Sequence, residues 1–155
     1  MNYAMATVNL AKIYRIGEDV EQIFELAFKY FKKATELGHE IGMIETYLAY
    51  KTGEGVKKDI SKAKFWYEKI KDRLPIIAND LYEIGLNNAF SAKFSGNDEY
   101  FKNAFRYMQD ALRYGKDFLV YIAQHYLYGW GVKQNINKAM EYFIKKVSEL
   151  KKIPN

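Results

Sequence analysis

The side chains able to do chemistry are few and badly spaced for it. His39 and His125 are the only imidazoles and cysteine is absent, so a zinc site would lack thiolates, and no His-Glu-x-x-His pair sets two imidazoles on one helical face. The same absence excludes a disulfide framework and a thiol nucleophile. Ser61, Ser91, Ser95 and Ser148 lie in no Gly-x-Ser-x-Gly elbow. The adjacent acids Glu18 with Asp19 and Asp98 with Glu99 read as acidic decoration of helix N-termini and not as an acid-base pair. Gly53-Glu54-Gly55 and Gly129-Trp130-Gly131 lack the third glycine, the Lys-Ser/Thr ending and the preceding strand of phosphate loops. His39 follows Gly38 at an expected helix end, where it would cap the dipole as a cation; His125, between Gln124 and Tyr126, is a candidate to face a groove. No catalytic residue, metal ligand or cofactor follows from these residues, and the chain is expected not to be an enzyme.

What the glycines and aromatics do share is a period. Tyr50-Lys51-Thr52-Gly53-Glu54-Gly55-Val56, followed by Asp59, Lys62, Ala63, Trp66 and Tyr67, matches Tyr126-Leu127-Tyr128-Gly129-Trp130-Gly131-Val132, followed by Asn135, Lys138, Ala139, Tyr142 and Phe143, at every spacing. A first segment keeps Tyr14, Gly17, Val20, Ala27, Tyr30, Phe31 and Ala34, with Asp19 in place of the second glycine; a third keeps only Gly96, Ala104, Tyr107, Met108 and Ala111. The equivalent alanines Ala27, Ala63, Ala104 and Ala139 are 36, 41 and 35 residues apart, the period of a helical repeat array.

Each repeat reads as two helices. Ala6, Leu10, Ala11 and Tyr14, like Phe118, Ile122, Ala123 and Tyr126, fall on one helical face, and the small Ala11 and Ala123 permit close approach. Beyond the turn, Ala63, Trp66, Tyr67 and Ile70 form a second stripe with Lys62, Lys64, Glu68 and Lys71 on other faces. The glycines can adopt the positive φ that ends a helix, and Asp59 or Asn135 can cap the next one. Trp66, Tyr67, Tyr142 and Phe143 are therefore expected in the core, whereas Tyr128 and Trp130 occupy variable turn positions. A hairpin this short cannot bury its own stripe, so neighbouring hairpins must supply the core.

This pattern resembles the Sel-one-like repeat, a relative of the tetratricopeptide repeat, over essentially the whole chain. The resemblance is closest in the second and fourth repeats and weakest in the third, where Pro75 precedes the first helix and the turn near Gly96 is compressed. It implies an all-α solenoid, a right-handed superhelix of four helix-turn-helix repeats at about residues 3–38, 39–75, 76–115 and 116–152, forming one domain over residues 1–155. In such solenoids the first helix of each pair lines the concave groove. Carried to this chain, the partner-binding residues are Asn9, Lys12, Ile13 and Ile16, then Glu45, Leu48, Ala49 and Thr52, and then Tyr121, Gln124, His125 and Tyr128. Nothing is carried to the third repeat. The implied function is a non-catalytic protein-protein interaction module, a bacterial adaptor or inhibitor, with an immunity-type protein that neutralises a cognate toxin as one version.

Composition sets the remaining bounds. At 155 residues with 49% hydrophobic and 17% aromatic residues, the chain suits one ordered globular domain. No basic leader with an apolar run opens the sequence, and no stretch of about 18 apolar residues occurs, so the expected location is the cytoplasm and no membrane partner is expected. Residues 1–56 carry 6 Lys/Arg against 8 Asp/Glu, a net of −2, and residues 57–155 carry 18 against 11, a net of +7. That basic half suits a partner with an acidic contact surface, and nucleic-acid binding is the alternative from another class. Residues 151–155 offer no extra polar capping helix, so self-association through the solenoid ends is a further expectation.

Overall fold

The computed structural model describes residues 2–17 and 19–150, and among these the chain forms eight helices and no strand. They are α1 (Asn2–Ile16), α2 (Phe24–Glu36), α3 (Glu40–Thr52), α4 (Ile60–Ile70), α5 (Leu74–Ser95), α6 (Asp98–Arg113), α7 (Leu119–Tyr128) and α8 (Ile136–Leu150). The all-α class is therefore as expected. Glu18, half of the acidic pair at the first turn, and residues 151–155 lie outside the described residues. The helices form two compact units, Met1–Arg73 and Leu74–Asn155. In the first, α2 packs on α1, α3 on α2 and α4 on α3; in the second, α6 packs on α5, α8 on α7, and α7 more sparsely on α6.

One backbone bond closes the turn in three of the four hairpins. The N–H of Ile23 donates to the carbonyl of Tyr14 at 3.0 Å, that of Asp59 to Tyr50 at 2.9 Å and that of Asn135 to Tyr126 at 2.8 Å. The first helix stops at a left-handed glycine, Gly53 (φ 88°) or Gly129 (φ 72°). The second starts where Asp59 Oδ1 accepts from the Lys62 N–H, or Asn135 Oδ1 from the Lys138 N–H, both at 3.0 Å. Ile23 provides no such side-chain cap. The first hairpin instead has Gln22 Nε2 donating to the Arg15 carbonyl at 2.6 Å, a bond repeated by Gln134 to Leu127 at 2.8 Å. The motif tyrosine also stacks on the second helix, Tyr14 on Tyr30 and Tyr126 on Tyr142, each pair at 5.9 Å. The motif lysine lies over it, Lys62 over Tyr50 at 5.3 Å and Lys138 over Tyr126 at 5.2 Å.

The second glycine of each turn serves a different purpose, that of stacking one hairpin on the one before it. A Cβ on Gly55 would overlap the carbonyl of Phe24 at the start of α2, and a Cβ on Gly131 would overlap the backbone of Phe101 and Lys102 in α6. At the equivalent position of the first turn stands Asp19. The third hairpin departs for a visible reason. Its first helix, α5, runs 22 residues directly to a turn of only Gly96 and Asn97, leaving no room for a glycine-x-glycine loop. Pro75 falls inside the first turn of α5 and not before it, a position that needs no N–H partner within the helix.

The core is built from smaller residues than expected. Ala11, Ala34, Ala104, Ala111 and Ala123 are fully buried, with Ile44, Met108, Phe118, Leu119 and Ile122 as the larger members. Trp66, Tyr142 and Phe143 are only half-buried and Tyr67 is 40% exposed, a correction to their expected core role. Phe31, the α2 equivalent of Tyr67 and Phe143, is 3% exposed in a cluster with Val8 and Ala11 of α1 and Ile41 of α3, whereas Tyr30, the equivalent of Trp66 and Tyr142, is half-buried as they are. Truncating Trp66 should therefore fall below the roughly 3–5 kcal/mol of a fully buried tryptophan.

Gly55→Ala and Gly131→Ala should each destabilise by about 2–4 kcal/mol, the sum of the strain of a side chain at positive φ and overpacking against backbone. Gly38→Ala and Gly96→Ala, where an added Cβ meets nothing within 4 Å, should lose only the strain part, about 1–2 kcal/mol. Urea unfolding of the four variants checks the ranking.

Candidate protein-binding surface

The best-defined surface lies on α7 and its turn. Buried at 2% exposure, His125 holds the turn from beneath: its Nδ1 lies 2.6 Å from the Trp130 carbonyl, and the Trp130 N–H donates back to the His125 carbonyl at 3.1 Å. Because the Trp130 oxygen can only accept, Nδ1 carries the proton. Above this clamp the rings form a stack, with Trp130 5.6 Å from Phe101 on one side and 4.8 Å from Tyr128 on the other. Tyr128, the outermost, is 58% exposed. Two turns earlier on the same face of α7, Tyr121 is 43% exposed and rests edge-on against the fully buried Phe118 at 5.5 Å. Gln124, half-buried, lies between them in the sequence. The two exposed tyrosines thus rest on other rings, Tyr128 on the half-buried Trp130 and Tyr121 on the buried Phe118, the arrangement in which an aromatic side chain binds with little loss of rotamer entropy.

The twelve groove residues expected from the sequence divide by burial. Asn9, Ile13, Ile16, Thr52, Tyr121 and Tyr128 are exposed, and Lys12, Leu48 and Gln124 are half-buried. Glu45, Ala49 and His125 are buried, so their side chains serve the interior and offer a partner nothing. Glu45 accepts from Arg15 at 3.0 Å, and the Arg15 guanidinium also lies over the Phe31 ring at 5.8 Å. This ion pair joins α1 to α3. Removing one partner of a pair so well buried generally costs about 3–5 kcal/mol, because the other charge is left in the interior.

Neither histidine is a ligand in waiting. His39 caps a helix, but the opposite end from the one expected: it is the N-cap of α3, and its Nδ1 accepts from the Ile41 N–H at 3.2 Å. That bond requires an unprotonated Nδ1, so the residue acts as a neutral acceptor and not as a cation. Burial, chiefly, holds the His39 pKa below the ordinary value; Lys12 reinforces this and Glu40 opposes it. Burial likewise lowers the pKa of His125, against the bond to Trp130. Among the described residues, no three His, Asp or Glu side chains gather in a metal-holding group. Asp98 and Glu99 occupy the first turn of α6 behind the N-cap Asn97, whose Oδ1 accepts from the Glu99 N–H at 2.9 Å, as the sequence suggested for acids at a helix start. An open cavity of about 320 Å³ between α7 and α8 is lined by Tyr126, Lys138, Glu141, Tyr142 and Lys145; two of its walls are the stacked motif tyrosines.

The turn geometry and the sequence period together match a known family. The Sel1 repeat model matches residues 4–39, 45–73 and 117–145, more than half of the chain. The chain belongs to the Sel1 repeat family. The longest unmatched stretch, residues 74–116, holds the α5–α6 hairpin, where the long first helix has replaced the glycine turn. Among solved structures, the chain is similar to a Sel1 repeat protein from Oxalobacter formigenes, at 26% identity over 91% of this chain and 56% of that one, with a TM-score of 0.45. It is also similar to a protective antigen present in uropathogenic Escherichia coli strains that displays an SLR fold, at 21% identity over 94% of this chain and 30% of that one, with a TM-score of 0.44. The chain thus spans less than two thirds of the length of either. No curated protein matches it. No helix among the described residues is long and apolar enough to cross a membrane.

One exposed feature lay outside the sequence reading. Phe90 and Phe94 in α5 are 64% and 78% exposed and pack on each other at 4.5 Å. Their i, i+4 spacing was the available signal, but it falls in the repeat to which no groove positions were carried.

The histidines give stability a defined pH dependence. Both pKa values lie below the unfolded-chain value of about 6.5, so folding favours the neutral rings. Their contribution is complete above that pH and is lost as the pH falls from there through the folded-state values. Between pH 6.5 and 5 the unfolding free energy should fall with a slope of up to about 1.4 kcal/mol per pH unit from His125 alone. Urea titrations of His125→Gln over the same range should show a shallower slope, whatever the variant's absolute stability.

Proposed function

We propose that this Sel1 repeat chain is a non-catalytic binding module that takes a partner protein on its first helices, with Tyr121 and Tyr128 of α7 as the anchors. Members of the family typically serve as protein-interaction modules. The observation that carries the specific reading is the pair of exposed tyrosines backed by the Phe101–Trp130 stack and Phe118. Gln124 adds amide hydrogen bonding beside them. Such a surface suits a folded protein better than a phosphate track. Two motif lysines of the basic stretch, Lys62 and Lys138, are engaged over tyrosine rings, which weakens the case for nucleic acid. The net charge of +7 over residues 57–155 suits a partner with an acidic face. A cytoplasmic inhibitor that neutralises a cognate toxin is the most concrete form of this reading.

The test is affinity capture from the native cell with the wild type and with the Tyr121→Ala/Tyr128→Ala double variant. A hot-spot tyrosine contributes about 2 kcal/mol, or about thirtyfold in Kd, so the variant should keep its helical circular dichroism and lose its specific partner. An unchanged set of captured proteins would remove α7 as the binding surface. Capture abolished by nuclease, with affinity falling steeply as salt rises, would support the nucleic-acid reading instead.

A further inference from the structure

The basic excess of the chain is concentrated, and it lies outside α7. Residues 57–73 carry 7 Lys/Arg against 3 Asp/Glu, a net of +4, so these 17 residues hold four of the seven net charges of residues 57–155. They comprise the approach to α4, the helix itself and its C-terminal end. Ala63 and Ile70 bury one side of α4. Away from it, Lys62, Phe65 and Lys69 follow at intervals of three and four residues, beside a second row formed by Ser61, Lys64, Glu68 and Lys71. All seven are exposed, as are Lys57 and Lys58 before the helix. Part of this charge is spent within the fold: Lys62 pairs with Asp59 at 3.3 Å, Lys71 with Glu68 at 2.7 Å and Arg73 with Glu40 at 2.7 Å. Lys69 instead lies over the ring of Phe65 at 4.9 Å, and that ring, 56% exposed, meets Trp66 edge-on at 5.2 Å.

Lys57 and Lys58 stand just before the N-cap Asp59, at the end where the helix dipole repels cations, and α4 has no acid in its first turn to offset them. Charges placed against the local rule are expected where a surface serves a partner. We infer that this face of α4 is a second docking surface, for an acidic protein segment that also carries an apolar side chain. Carboxylates of the partner meet Lys57, Lys58, Lys64 and Lys69, and its apolar side chain packs against Phe65. The ring decides between anionic partners. A carboxylate pairs with Lys69 where it stands, through N–H groups that point away from the ring. A nucleobase has to displace Lys69 in order to stack there, and a bilayer that takes up Phe65 has to admit the charge lying on it. The surface belongs to the first unit, whereas the α7 tyrosines belong to the second, and it does not rest on the reading of α7.

Fluorescence anisotropy on the full chain tests this, with a labelled peptide of alternating Glu, Asp and Leu as the probe. The peptide should bind, and the triple variant Lys57→Glu/Lys58→Glu/Lys64→Glu should weaken it at least about tenfold. Two of these substitutions set acids at a helix N-terminus, so the melting temperature should hold or rise, which separates lost binding from a lost fold. Phe65→Ala should weaken the same peptide and leave unchanged a version with Ser in place of Leu. Lys93→Glu/Lys133→Glu/Lys145→Glu, which alters the net charge equally at other exposed positions, should bind as the wild type does, and so should Tyr121→Ala/Tyr128→Ala. Three results would overturn the inference. One is no binding of the peptide. Another is an equal loss in both triple variants, the behaviour of a general charge attraction. The third is tighter binding, at the same ionic strength, of an oligothymidylate or of phosphatidylserine vesicles, which would assign the face to nucleic acid or to lipid.

Discussion

The three hairpins that keep the glycine turn depend on how that turn is closed. A single amide at the start of the second helix donates to the carbonyl of the motif tyrosine at the end of the first, at Ile23, Asp59 and Asn135. This bond satisfies a donor and an acceptor that the two helix ends would otherwise leave open. It also sets the angle at which the pair leaves the turn. With that angle set, the second glycine lies against the preceding hairpin with no room for a Cβ, and the alanines can meet at near-backbone distance. The tyrosine that provides the carbonyl also provides a ring for the second helix and for a lysine. One residue thus connects turn, hairpin and stripe.

The glycine pattern follows from where each hairpin stands. Gly55 and Gly131 occur where a hairpin stacks on an earlier one of its unit with no room for a Cβ. The same logic sorts the aromatics. Phe31 is buried between Val8 and Ala11 of α1 and Ile41 of α3, whereas Tyr67 and Phe143, its equivalents in α4 and α8, stay partly open. Burial in this architecture is a property of the neighbour as much as of the residue, as expected of repeats whose stability is the sum of intrinsic and interface terms.

This explains what could be read in advance. The helical class, the glycine turns and the Asp59 and Asn135 caps were legible because each depends on residues close in sequence. The family resemblance was legible for the same reason, and it faded at the third hairpin, where a 22-residue helix removes the turn that carries the signature. The sequence pattern does not separate the exposed from the buried positions of the first helices. Tyr121 and Tyr128 stand exposed, but Glu45, Ala49 and His125 lie inside, because the face of a first helix that meets the preceding hairpin is one residue away from the face that meets solvent. No local pattern marks the Arg15–Glu45 pair, which joins residues 30 apart. The polarity of the His39 cap was missed as well, since Gly38 ends one helix and His39 at once begins the next.

The central claim is that the tyrosine-carbonyl bond closes the hairpins and is as stable as the helices it joins. Native-state hydrogen exchange at the amides of Asp59 and Asn135 measures this directly. These amides should open with the same free energy as the helical amides of their own unit. Exchange at the rate of an open, solvated turn, with the flanking helices still protected, would contradict the account and leave the glycines as the only source of the stacking geometry.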